Sequence, residues 1–151
     1  MIRDVIKSAL VSAMKAHDST TTATLRLIQT AIKNRDIELR TATAPGDDDL
    51  VVTEVLQKMV KQRRESIEMF EKGGRAELAA AEQAELAVIE RFLPQQMAEA
   101  DARAAIAAIV AELGAASLKD MGRVMAEVKA RHGAALDMSK ASGWVKAALA
   151  G

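Results

Sequence analysis

The chain has 151 residues, enough for one compact domain or two small ones, since a chain of this length buries roughly 70% of its unfolded surface. Half of it is hydrophobic, yet alanine dominates and the aromatics are only Phe70, Phe92 and Trp144, which predicts an all-α protein packed through small contacts. The absence of cysteine excludes disulfides, thiolate zinc sites and a cysteine nucleophile, and a net charge of zero excludes long-range steering to a polyanion.

From Ile2 to Ala16, apolar residues at Ile2, Val5, Ile6, Ala9, Leu10, Ala13 and Met14 recur every three or four positions, which marks an amphipathic helix closed by His17-Asp18. The hydroxyls of Ser19 to Thr22 are suited to cap a second helix, whose stripe is Leu25, Ile28 and Ile32 and which fades near Arg40. Thr41 to Asp49, with Pro45-Gly46 and three aspartates, reads as an exposed loop, with Asp49 placed to cap a third helix over about 50–72. That helix is apolar at Val52, Leu56, Met59, Val60, Ile67 and Phe70 and stops at Gly73-Gly74. A fourth helix is expected over 76–92, where Ala, Glu and Leu are strong helix formers. Four helices with short connections predict an antiparallel bundle.

Pro94 disfavours helix at Leu93 and donates no backbone hydrogen bond, so the domain boundary is expected there: a bundle over 1–93 and a small three-helix domain over 94–151. In the second domain a helix over 99–113 ends at Gly114. Another opens with a capping box, Ser117 with Asp120, and ends near His132-Gly133; the last runs over 139–149 with Asp137 or Ser139 as its cap. The stripe Leu118, Met121, Met125 and Val128 is expected to be core, as is Trp144.

The inventory of reactive side chains is poor. Only two histidines are present, His17 and His132, each at an expected helix end, where a cation is sufficiently explained by the helix dipole. Asp47-Asp48-Asp49 lacks the spaced ligands of a calcium loop and reads as a solvated acidic segment, and no phosphate loop follows Gly73-Gly74. Glu77, Glu82, Glu85 and Glu90 offer no singled-out pair for acid/base work. No catalytic residue, metal or cofactor is therefore assigned.

Two basic clusters remain. Lys58, Lys61 and Arg64 project a ridge from the third helix, although Glu54, Glu65 and Glu68 stand four residues away from each in turn and can neutralise it. In the last domain Lys119, Arg123, Lys129, Arg131, Lys140 and Lys146 are opposed between 111 and 151 only by Glu112, Asp120, Glu127 and Asp137. Gly122, a costly residue inside a helix, points to close approach of another backbone, from a neighbouring helix or a nucleic-acid strand. With so few aromatics, shape and phosphate recognition of a folded RNA is the expected mode.

Several strings occur together: Leu25-Arg26-Leu27-Ile28, Ala31-Ile32-Lys33, Lys61-Gln62-Arg63-Arg64-Glu65-Ser66, Gly74-Arg75-Ala76-Glu77-Leu78 with Glu82 and Glu85, Leu93-Pro94 and Met121-Gly122-Arg123-Val124-Met125. In order and spacing they resemble the YqeY family over nearly the whole chain. The resemblance implies a helical bundle followed by a domain similar to the tail of the tRNA-dependent amidotransferase B subunit, which grips tRNA while catalysis occurs elsewhere. Carried over by position, it implies tRNA contacts around Met121-Gly122-Arg123 with Lys119, Lys129 and Arg131, and partnership with the amidotransferase or an aminoacyl-tRNA synthetase. Two details depart from the family pattern: Ala98 stands where a polar helix cap is expected, and Ala134-Ala135-Leu136 makes the turn after Gly133 apolar. The expectation is a cytoplasmic tRNA-binding accessory protein. A protein-interaction adaptor without RNA, and an auxiliary subunit in carbon–nitrogen ligation with glutamine as amide donor, are the alternatives.

Overall fold

The computed structural model describes residues 1–41 and 47–150, so the expected turn at Pro45-Gly46 lies outside the described residues. The architecture is all-helical, with no strand among those residues, and the chain divides into two compact units, Met1–Leu93 and Pro94–Gly151.

The first unit holds α1 (Ile2–Lys15), α2 (Ser19–Leu39), α3 (Asp48–Lys72) and α4 (Ala76–Glu90). Three-residue links force α1 onto α2 and α3 onto α4 as helical hairpins, and α2 also packs on α3 and α4. The stripes seen in the sequence meet as one core: Ile6, Leu25, Ile28, Val52, Leu56 and Ile89 are almost wholly shielded from water. Two threonines share that interior at no cost in unpaired hydroxyls, because Thr24 and Thr53 each donate to the carbonyl four residues back, Thr20 at 3.1 Å and Asp49 at 2.7 Å.

Helix ends differ from the sequence expectation in ways with local causes. Asp18, rather than a hydroxyl of Ser19 to Thr22, caps α2, accepting from the Thr21 N–H at 3.1 Å and the Thr21 hydroxyl at 2.7 Å. His17 occupies the left-handed region at φ 55° and lets the Asp18 N–H return to the Ala13 carbonyl at 3.0 Å, which frees the Asp18 side chain for α2. Asp47, not Asp49, caps α3. Asp49 instead accepts the Ile2 N–H at 2.9 Å and faces the N-terminal ammonium at 3.2 Å, while Asp48 pairs with Arg3 at 2.8 Å. The acidic run is open to solvent, as expected, and it also fastens α1. The last helix of the unit stops two residues early: Arg91, Phe92 and Leu93 bond three residues back instead of four, tightening the chain before Pro94.

The second unit holds α5 (Glu99–Leu113), a 3-10 turn (Leu118–Asp120), α6 (Met121–His132) and α7 (Met138–Ala150), with each helix packed on the other two. Ala102, Ile106, Ile109, Val124, Val128 and Val145 lead its core. The inward face of α6 therefore runs through Val124 and Val128, with Met121 and Met125 at its margin; Leu118 is half exposed because the 3-10 turn takes residues before 121 out of the α-helical register. Gly114 takes the left-handed conformation at φ 61°, with the Ala115 N–H returning to the Val110 carbonyl at 3.1 Å.

The apolar turn 134–136 has a structural use. Leu136 is buried, the Ala135 carbonyl accepts the Met97 N–H at 2.9 Å, and the Gln96 amide donates to the Ala134 carbonyl at 2.9 Å, so the segment entering α5 is sewn to the α6–α7 turn. At the start of α5, Ala98 gives no side-chain cap; Glu99 and Asp101 in the first turn complement the helix dipole instead.

Candidate nucleic-acid interface

Lys119, Gly122, Arg123, Lys129, Arg131, Lys140 and Lys146 all lie at the surface of the second unit. Their electrostatic situations divide them. Arg123 is committed to its own chain: it donates to the Leu113 carbonyl at the end of α5 at 3.1 Å and to Asp120 at 3.1 Å. Arg131 is gripped by Glu112 and Glu127, each at 2.7 Å, the first across from α5. Lys129 lies beside Arg131 in the last turn of α6. Lys119, Lys140 and Lys146 make no ion pair with another described residue and remain available to an outside anion.

The turn that carries Lys119 is preformed. The Asp120 carboxylate accepts the Ala116 N–H at 3.0 Å, and that bond is the foremost reason its pKa lies below the ordinary range, with the Ser117 N–H and Arg123 adding to it. Only half of the expected capping box exists, because the Ser117 side chain makes no cap bond. The start of α7 is fixed by Asp137, which accepts the Ser139 N–H at 3.0 Å and the Ser139 hydroxyl at 2.6 Å. Burial pushes the Asp137 carboxyl up, but the Ser139 bonds, the Lys140 N–H and the Lys140 charge bring it net below its ordinary value.

Gly122 is open to solvent. A Cβ built there meets nothing within 4 Å, so no neighbouring helix explains this glycine, and Gly143 in the middle of α7 is equally open. Gly133 is the opposite case: a Cβ would sit 2.6 Å from the Lys129 carbonyl oxygen, so the exit from α6 requires glycine.

In the first unit, Lys58, Lys61 and Arg64 are exposed on α3, and the partner of Arg64 differs from the one the spacing suggested. Arg64 reaches across the hairpin to Glu90 on α4 at 3.2 Å, and Glu68 pairs with Lys72 at 2.8 Å. Lys58 lines a groove of about 420 Å³ between α2 and α3 together with Glu54 and the Arg35–Glu38 pair.

One cluster escaped sequence reasoning. Arg63 is largely buried between α3 and α4 with its Nε 3.4 Å from Glu85 and 4.0 Å from Glu82, close enough for charge attraction but misaligned for a hydrogen bond. Burial, then the neighbouring Glu85, raises the Glu82 pKa, and Arg63 only partly opposes them. The signal was present: Arg63 falls three and four positions after the buried Val60 and Met59, and Glu82 and Glu85 fall four positions before the buried Leu86 and Ile89. A cation and two carboxylates on apolar stripes must face each other. Among the described residues no group of three or more histidine or acidic side chains is arranged to hold a metal ion, and no helix is long and apolar enough to cross a membrane.

A family model described as Yqey-like protein matches residues 3–149. Among curated proteins, the chain is 38% identical over 73 residues to altered inheritance of mitochondria protein 41, mitochondrial, from Eremothecium gossypii, an alignment covering 48% of this chain. The chain spans only 38% of that relative's length.

Proposed function

Since the chain belongs to the family of Yqey-like proteins, we propose that it is an accessory protein that binds structured RNA, with transfer RNA as the first candidate, and that it contributes no reaction centre of its own. The observation that carries this reading is the trio Lys119, Lys140 and Lys146, exposed and in no ion pair with another described residue, although Asp137 lies near enough to feel the Lys140 charge, in a unit whose other basic groups include two engaged arginines, Arg123 and Arg131. Unpaired ammonium groups are point contacts for phosphates, and the side-chain-free surface at Gly122 admits a sugar–phosphate strand close to the backbone. Partnership with a tRNA amidotransferase or an aminoacyl-tRNA synthetase is the natural extension, with this protein holding the RNA while another performs the chemistry. A cytoplasmic setting belongs to the same proposal; the mitochondrial location in the relative's name is a statement about the relative.

The test is tRNA binding measured against salt. Wild type should lose affinity linearly on logarithmic axes, and the triple variant Lys119→Glu, Lys140→Glu, Lys146→Glu should bind far more weakly with a shallower slope, by roughly 0.7 to 0.9 for each phosphate contact removed. Binding that ignores salt and the triple substitution would defeat the proposal. An adaptor role finds its own support in α1, where Val5, Val11 and Met14 are half exposed. Protein partners retained after nuclease treatment and lost in Val11→Lys would favour it.

A further inference from the structure

Trp144 is the single tryptophan of the chain, and it does not disappear into the core: it lies at the core's margin, partly open, with the guanidinium of Arg103 placed over its ring 5.8 Å from the centroid. Arg103 comes from α5 and Trp144 from α7, so the stack is built by tertiary packing and was invisible in the sequence. Glu99, one turn before Arg103, takes both Nε at 3.1 Å and Nη2 at 2.8 Å on one carboxylate oxygen. The guanidinium is therefore steadied from below by the indole and along one edge by the carboxylate. Its Nη1 donors have no partner among the described residues, and the side chain remains 56% exposed.

A plane held in this way is a platform. Unstacked bases bind on aromatic rings and on arginine planes, and the conformational cost of ordering the arginine is already met before the base arrives. The ground beside it suits a nucleotide. Lys140, four residues before Trp144 on α7, is exposed and without an ion pair, so it stands on the same side one turn away, where it can meet a phosphate. Gly143, adjacent to Trp144, offers no side chain and open space where its Cβ would be, so a strand can lie close to the helix.

We propose that Arg103, held over Trp144 and flanked by Lys140 and Gly143, receives an unpaired nucleotide of the bound RNA, the base stacking on the guanidinium and the phosphate meeting Lys140. This rests on the RNA-binding reading and sharpens it: the ligand must present at least one base outside a helix, as a tRNA loop or end does and a blunt duplex does not.

The lone indole gives a direct readout, because the chain has no tyrosine and no other tryptophan to mask it. Tryptophan emission of the full chain is followed while tRNA, a single-stranded oligoribonucleotide or a blunt RNA duplex is added, and affinity is measured in parallel from a dye on the RNA. The expected result is that tRNA and the single strand change the emission and the duplex does not. Arg103→Ala should weaken tRNA binding about tenfold, within the span of one lost base stack. Arg103→Lys should weaken it nearly as much, since charge survives and the plane does not. Circular dichroism of each variant confirms retained helicity. If tRNA binds while the emission stays constant, or if Arg103→Lys binds like wild type, the platform is refuted and the broader RNA reading stands. If no RNA binds under any condition, the broader reading falls and the platform with it.

Discussion

Among the described residues, most ion pairs of the first unit join distant segments, beside local pairs such as Arg35 with Glu38 and Lys72 with Glu68, whereas those of the second are mostly local. In the first, ion pairs tie together segments far apart in the chain: Arg3 with Asp36 and Asp48, Arg63 with Glu82 and Glu85, and Arg64 with Glu90. In the second, Arg103 with Glu99, Arg123 with Asp120 and Arg131 with Glu127 all close within one helical turn, while Arg131 with Glu112 crosses between helices. Charges that serve as tertiary ties cannot be given up to a partner without loosening the fold. Charges paired locally, or not paired at all, can be, and the lysines left over in the second unit are the ones a polyanion would find first.

The comparison can be broken or sharpened by substitution. The largest effect is expected where charge plays no part: Ile106→Ala, at a fully buried site of the second core, should cost about 3 kcal/mol in chemical denaturation. Next, the glycines of α6 and its exit should diverge in sign. Gly133→Ala drives a methyl against the Lys129 carbonyl and should destabilise by about 2 kcal/mol, whereas Gly122→Ala should stabilise by about 0.5 kcal/mol, both read from melting curves. If Gly122→Ala gains stability yet weakens RNA binding, the open surface there is in use.

The smallest effects are in pH dependence, and they have opposite signs. The Arg3 hydrogen bond is the foremost cause holding Asp48 below the ordinary carboxylate range. The stability this bond contributes is present above the unfolded value and disappears as pH falls through the lowered one. Arg3→Ala should therefore lose up to about 1 kcal/mol at neutral pH, the exposed pair being weakened by solvent, and begin to converge with wild type only as pH falls below about 4. Glu82, raised by burial and by Glu85, behaves the other way: the folded protein holds its proton more tightly, an advantage lost as pH rises through the folded value. Glu82→Gln should match wild type near pH 3 and exceed it slightly at pH 7; a loss at pH 7 would mean that attraction to Arg63 outweighs burial.

Much of the fold was legible because the helices obey local rules. The helix of residues 99–113 followed from its bounds, Pro94 before it and Gly114 after it, whose left-handed conformation ends it. Caps were misassigned by one or two positions because Asp18 and Ser19, or Asp47 and Asp49, are equally good acceptors in sequence; which one is used depends on tertiary demands such as the binding of Asp49 to the start of α1. The basic residues of the second unit were legible as a set, but their division into engaged and available groups was not, since the Leu113 carbonyl that takes Arg123 stands ten residues away. Trp144 was expected inside the core and lies at its margin, partly open, and the guanidinium above it was not readable, being supplied by another helix.

The hydrogen bonds from Gln96 and Met97 to the carbonyls of Ala134 and Ala135 bear on how the molecule can be dissected. A fragment starting at Glu99 would carry all three helices of the second unit and still have a torn seam, with two carbonyls and the flank of Leu136 newly wetted. Limited proteolysis that nicks the backbone between Gln96 and Ala98 should have the same consequence, so the place to separate the two halves is at Pro94 or before it.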